Sequence, residues 1–594
     1  MADSPTANTD GPLGVSIKLN GTALADEVGI VSVNVESELN RIPSAVVVLD
    51  DGSIPENEFP LMDSDDNKPG TEIEIAAFYG SNSEQTLFKG IITATRLRIR
   101  AATGSQLELT CRDKAIALAD IRRTAASTQV KDSDVMSQII SDAGLTADIG
   151  ATNGPQTDIV QYDCTDWDFL RMLADRNGMT LAVDDGTIAA AAPDPSGSAK
   201  LTLTLGVDVL DFDARVDTVA LEKTASVTGW STADQAVTSQ TSDAAASGSW
   251  GNSTLSDLTG VTDDRTRSLT TPYAEGQLSL SDVASARADR VSLASMQGRC
   301  SYVGSATAGP GDTIELTGVG ERVGGTAFVS GVTHVLKDGH WTTTAQLGLP
   351  QGWRGDSFGA AAPAGSALTA PVHGLHVAKV LAIVDDAGVN PMSDATMIQV
   401  SLPLMGETPA EIWARYAQPY ASNGAGIQFL PEVDDEVIVG FLSADPSAPV
   451  ILGSLHSGSL VRTNDATQEN ELKTLTTISG LAITFDDDKK ILTAETPGGH
   501  SIVMDDDQKT VTVTDLTGNS ITMSDSGVAI DSTGTLDLTA SSDISISSSG
   551  GDVTIDGNNV TANGNMGATV KGGSTAELSS GGQTTVKGSM VMIN

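Results

Sequence analysis

Few residues in this chain have both the type and the spacing that chemistry requires. Asp63, Asp65, Asn67 and Glu74 fall at positions 1, 3, 5 and 12 of a calcium-loop pattern, in which side-chain oxygens would surround a cation. Lys68 stands where that loop needs glycine for its sharp turn, and Glu74 lies inside an alternating stretch. A polar turn leading into a strand accounts for these residues better than an ion site does. His373 and His376 are spaced as a metal-binding pair, but no third and fourth ligand is near them. Cys111, Cys164 and Cys300 form no Cys-x-x-Cys pair and read as buried free thiols of a protein assembled in a reducing cytoplasm. The acidic triplets 486–488 and 505–507 read as solvated turns, with cation binding as the alternative. There is no Gly-x-Ser-x-Gly elbow and no Walker-type loop. The expectation is no catalytic residue, no metal and no cofactor, so not an enzyme.

Charge narrows the partners. The net charge is −43, which repels phosphate backbones and anionic lipid alike, so nucleic acid is excluded as an expected partner. Aromatic residues make up only 4% of the chain against 39% hydrophobic residues in all, a balance that favours β structure in several modules. The N-terminus has neither a basic nor an apolar signal region, and no window approaches the roughly 18 apolar residues of a membrane span. The expectation is therefore no signal peptide and no transmembrane segment.

The elements follow from periodicity. Past residue 486 the chain has no aromatic residue, no Cys and no Arg. It consists of short alternating doublets: Ile502/Met504, Val511/Val513, Ile521/Met523, Val528/Ile530, Leu536/Leu538, Ile544/Ile546 and Val553/Ile555. They begin 7 to 10 residues apart, with Gly, Asn, Asp, Ser and Thr between them. Period two says strand and the fillers say turn. One such turn cannot bury its own apolar side, so repeats must stack or chains must interwind. A second repeat overlaps the first, with Gly480, Gly499 and Gly518 spaced 19 residues apart.

Upstream, residues 1–12 read as a flexible tail and residues 13–125 as strand-rich. Helices are expected over 132–143 and 166–176, the second with Thr165 as N-cap and Asn177-Gly178 as its end. A third helix is expected over 282–297, and residues 232–262 read as a loop or insertion. The resulting boundaries are a region over 13–354, a Gly/Pro/Ser-rich linker over 355–370, a compact β module over 371–458, a connector over 459–470 and a β-helical segment over 471–594.

Within 371–458, Ile412-Trp-Ala-Arg-Tyr-Ala-Gln-Pro-Tyr-Ala421, Gly426-Ile-Gln-Phe-Leu-Pro-Glu-Val-Asp-Asp-Glu-Val-Ile-Val-Gly-Phe-Leu442 and Pro449-Val-Ile-Leu-Gly-Ser-Leu455 resemble the OB-fold of contractile-tail spike proteins, such as the VgrG proteins of type VI secretion. Thr165-Asp-Trp-Asp-Phe-Leu-Arg-Met-Leu-Ala-Asp-Arg-Asn-Gly178 and Pro310-Gly-Asp-Thr-Ile-Glu-Leu are similar to segments of phage tail-hub proteins. The resemblance implies a mainly β, multidomain chain. It would have two β-barrel hub domains with helical parts, an OB-fold, and a C-terminal triple-stranded β-helix shared by three chains.

The implied function is a structural hub and spike at the tip of a contractile injection machine, type VI-like or a phage-tail-like extracellular particle. It would join the inner tube to the piercing tip and puncture the target envelope on contraction. The implied partners are two further copies, a hexameric inner-tube protein, baseplate proteins, a PAAR-type tip protein and effector cargo, with membranes met only by puncture. The particle would be assembled in the cytoplasm and fired outward. The doublets would pack the trimer, and Met590, Met592 and Ile593 would dock the tip protein. No lysozyme module fits into the short 459–470 interval, and no further domain, such as a fused effector, is expected after the rod. A rival reading is a β-helical tailspike or adhesin acting on a surface polysaccharide; the rod's lack of aromatics beyond Phe485 speaks against it.

Overall fold

The computed structural model describes residues 3–100, 104–219, 221–231, 234–244, 250–262, 265–271, 279–356, 371–384, 397–405 and 409–593. Most of the expected linker, 357–370, lies outside them.

The first strand-rich block alternates as its sequence predicts. Strands Ile30–Glu38, Ser44–Asp50, Glu72–Tyr79 and Gly104–Arg112 each bury every second residue, among them Val33, Val35, Val47, Leu49, Ile75, Leu107 and Leu109. A second set, including Met296–Val303, Thr313–Thr317, Gly325–Lys337 and His340–Leu347, closes around Leu203, Tyr302, Ile314 and Val329. The two sets are continuous. Gly325–Lys337 pairs antiparallel with Ile30–Glu38, from Gly331 opposite Glu38 to Lys337 opposite Ser32. The result is one 13-stranded sheet with two apolar cores. Gly331 lets this seam close, because a Cβ there would lie 2.6 Å from Glu38 Cγ.

Helices α1 (Asp132–Asp142) and α2 (Asp166–Arg176) pack with three short strands around a further core that includes Met136, Ile140, Leu170 and Leu173. The caps decide their limits. Thr165 Oγ1 accepts the Asp168 N–H at 3.1 Å, and Gly144 and Gly178 take positive φ just past the two helices. The segment expected as a loop contains regular structure among its described residues: Ala236–Asp243 pairs with Thr224–Ser231, and helix α3 spans Leu255–Thr259. Its Ser/Thr-rich composition hid a strand whose partner lies outside the segment. Helix α4 spans Leu280–Ala294, starting and ending slightly earlier than expected because the chain enters a strand at Met296.

Charged residues of α2 hold α4 and the turn at 354–356. Asp175 receives Arg290 Nη2 at 2.6 Å and the Arg354 backbone N–H at 2.7 Å, while Asp168 takes Arg354 in a two-point pair at 2.7 and 3.0 Å. Burial pushes the Asp175 carboxyl up and the Arg290 guanidinium down, against their mutual attraction. Such a pair is costly to break, because the survivor is left charged in a buried place. Asp175→Asn should destabilise this region by about 3 kcal/mol, read as a lowered denaturation midpoint.

Five strands close into a separate barrel: His376–Ala382, Met397–Leu402, Ala410–Tyr416, Pro449–Ser454 and Glu436–Phe441. Ala378, Val380, Ile398, Val400, Ala414, Val437, Val439 and Ile451 fill its interior.

One buried titrating group sits at the seam of the large sheet. His334 pairs with Val35 across it, accepts the Trp341 indole N–H at 3.4 Å and lies 2.9 Å from Thr343 Oγ1. Burial alone lowers its pKa to about 4. An unfolded histidine takes its proton near pH 6.5, so between that value and about 4 the unfolded chain binds more protons and stability falls as pH drops. The loss should reach about 3 kcal/mol at pH 4 and be smaller in His334→Gln, checked by thermal unfolding of both proteins across that range.

Candidate functional site: an exposed apolar sheet face

Seven five-residue strands fill 472–531: Leu472–Thr476, Ala482–Asp486, Ile491–Glu495, Ser501–Asp505, Thr510–Thr514, Ser520–Ser524 and Gly527–Asp531. Each pairs antiparallel with the next, forming a meander. The register aligns the doublets. Leu475, Ile483, Ala494, Ile502, Val513, Ile521 and Ile530 stand opposite one another in one unbroken row. A second row on the same face runs Lys473, Phe485, Leu492, Met504, Val511, Met523 and Val528. The middle of the opposite face carries Thr474, Thr484, Thr493, Val503, Thr512, Thr522 and Ala529.

The meander thus brings together every expected packing residue from Ile502 to Ile530, and with them residues the doublet reading omitted: Leu475, Ile483, Phe485 and Leu492. The signal for two of these was present in the 19-residue repeat, which places Ile483 and Phe485 in phase with Ile502 and Met504. Most of the face is exposed; Ile502, Met504, Ile521 and Met523 keep 42 to 47% of their surface. The side holding the first row forms a concavity of about 770 Å³, whose lining includes Ile483, Ile502, Val513, Ile521, Ile530 and Leu536. Exposed apolar side chains gathered on one face, rather than scattered singly, point to an interaction surface.

Beyond Asp531 the described chain forms no strand. Leu536, Leu538, Ile544, Ile546, Val553 and Ile555 are exposed there, and so are Met590, Met592 and Ile593. The structure does not bring these three together with the upstream rows.

The acidic triplets make turns. Asp486 Oδ1 accepts the Lys489 N–H at 3.0 Å, and Asp505 Oδ1 accepts the Gln508 N–H at 2.9 Å. Lys490 and Lys509 then take left-handed φ of 54° and 52° before the next strand. Asp515 accepts the N–H groups of Thr517 and Asn519 at 2.9 and 2.7 Å, and hydrogen bonds led by the Asn519 side chain lower its pKa to about 2.

The other candidates do not converge on a ligand. Glu74 faces Lys18 at 3.7 Å within a strand, Asp65 pairs with Lys68, and the Asn67 amide donates to the Leu61 carbonyl. The His376 ring meets the His373 carbonyl and the edge of Phe441. Cys111, Cys164 and Cys300 are buried and free, and burial pushes the thiols of Cys111 and Cys300 up to about 12. Among the described residues, no helix is long and apolar enough to cross a membrane.

Residues 9–338 match the family described as the Alg8 N-terminal domain. This chain belongs to that Alg8 family. Residues 380–456, the barrel of the Alg8-type chain, match the type VI secretion system/phage-baseplate injector OB domain, so the VgrG-like resemblance drawn from the motifs holds. Among solved structures, the chain is similar to a tail protein of Neisseria meningitidis (16% identity, 58% of this chain and 99% of that one, TM-score 0.42). It is also similar to an E. coli component of the type VI secretion system (14%, 74% and 99%, TM-score 0.37). A chain of the Francisella PdpA-VgrG complex gives 8%, 88% and 88%, with a TM-score of 0.37. No curated protein matches.

The turn geometry makes a simple prediction. Glycine reaches left-handed φ at no steric cost, whereas lysine is disfavoured there by about 1 kcal/mol. Lys490→Gly with Lys509→Gly should therefore raise the melting temperature of the C-terminal segment, followed by circular dichroism.

Proposed function

We propose that this chain is a structural hub-spike protein, a homotrimer at the tip of a contractile injection machine. The observation that carries the reading is the pair of largely apolar rows across the strands of 472–531, followed in sequence by further doublets up to Ile555. A single chain leaves that surface in water, and three chains turned face inward would bury it. The injector OB domain at 380–456 supports the placement in such a machine.

In this reading the region before residue 354 meets a hexameric inner tube and the baseplate. The segment from 471 onward is the piercing rod. Met590, Met592 and Ile593 form the apolar end on which a PAAR-type tip protein sits, and effector cargo travels with the assembly. Puncture is mechanical and needs no catalytic group. Assembly takes place in the cytoplasm before firing.

Light scattering on the purified chain tests this directly. A trimer of 60.9 kDa chains has a mass of about 183 kDa. That mass, with early elution from a sizing column, is the expected result. A monomer of 60.9 kDa would remove the trimeric spike and return attention to a single-chain tailspike or adhesin.

A further inference from the structure

We infer that the meander face of 472–531 is the registering seam of the trimer: three copies first close on it, and this sets the alignment in which 532–593 interwind. The inference rests on the trimeric reading above and adds an order of assembly and a division of labour within the rod.

The two parts of the rod differ in what one chain can do alone. In 472–531 the backbone N–H and C=O groups are paired strand to strand within the chain, through six consecutive antiparallel pairings. Backbone groups must find partners before burial, and here they have them before any second copy arrives. In the described part of 532–593 no strand forms, while apolar side chains such as Val553 and Ile555 keep 53 and 69% of their surface. That part needs other chains both for its backbone and for its side chains.

The meander face also fits a second copy better than a foreign partner. Its rows repeat at the strand spacing of about 4.8 Å, and a partner that covers both rows along their whole length must repeat at that spacing too. A second copy does so by identity. Charge points the same way. Each copy carries a net charge of −43, yet of the fourteen row positions only Lys473 is charged, and the acidic triplets sit in the turns at the strand ends. Copies that would repel elsewhere can approach on this face.

Registration is the service the tail lacks. Its doublets recur every 8 or 9 residues among Gly, Ser and Thr, so neighbouring alignments present nearly the same contacts. Strands of that kind specify register weakly. Three tails tethered to a closed meander meet at high effective concentration and from one fixed starting point. The aromatic ring of Phe485 and the long side chains of Leu492, Met504 and Met523 make the upstream rows less uniform, and so less prone to slip.

The test uses the full chain and three double substitutions. Ile502→Asp with Ile521→Asp charges the face. Thr493→Asp with Thr512→Asp charges the same meander on its other side. Val553→Asp with Ile555→Asp charges the tail. Light scattering reads mass, a broad-specificity protease followed by mass spectrometry reads protection past residue 532, and near-ultraviolet circular dichroism of the upstream tryptophans reads whether the rest of the chain is folded. The face pair should become monomeric with a cleaved tail and unchanged tryptophan signal. The tail pair should stay trimeric and lose only its protection. The opposite-face pair should stay trimeric and protected.

A monomeric tail pair would mean that the tail makes the trimer, and the inference would fall. It would equally fall if the face pair stayed trimeric with a protected tail, or if the opposite-face pair behaved like the face pair. A wild-type monomer is a different result, because it removes the proposed function itself.

Discussion

Side chains alternate across a β-strand, so a shift of one residue moves a sheet's entire apolar set to the other side. This protein is arranged around that fact. In the 13-stranded sheet the alternation turns Val33, Val35, Val47 and Leu49 inward, and both cores are complete within one chain. In the small barrel closure does the same with eight interior side chains. In 472–531 the alternation is just as regular, but the apolar side faces outward. The same rule that completes the upstream modules leaves this one in need of company.

Where a partner is near in sequence, the fold was legible. The second helix could be placed because Thr165 and Gly178 are local start and stop signals, and each does its work within four residues. The doublets were legible for the same reason: adjacent strands of the meander are also adjacent in the chain. What escaped was everything settled at a distance. The pairing of Ile30–Glu38 with Gly325–Lys337 joins two blocks that composition presents as separate. Asp168 and Asp175 were legible as parts of a helix, but not as the anchors of Arg354 and Arg290, more than a hundred residues away. Ala236–Asp243 looked like loop because its side chains are polar and its partner strand lies outside that stretch.

The candidate site shows the same division. Its members from Ile502 to Ile530 could be named from spacing, and so could their common side. The contribution of Leu475 and Leu492 required the register. Conversely, residues that looked chemical on spacing have structural work: the calcium-like acids form a turn and an ion pair, and the acidic triplets hold hairpins. Residue type alone could not separate these roles, since a carboxylate that caps a turn and one that binds a cation are written with the same letter.

The 19-residue repeat behind the meander covers one down-and-up passage, two strands, and ends at a glycine each time. Adding or removing one such unit changes the length by about 10 Å while leaving every row in phase. The segment can therefore lengthen by whole repeats, like links in a chain, and tandem duplication of a single genetic unit would extend the sheet without disturbing its rows.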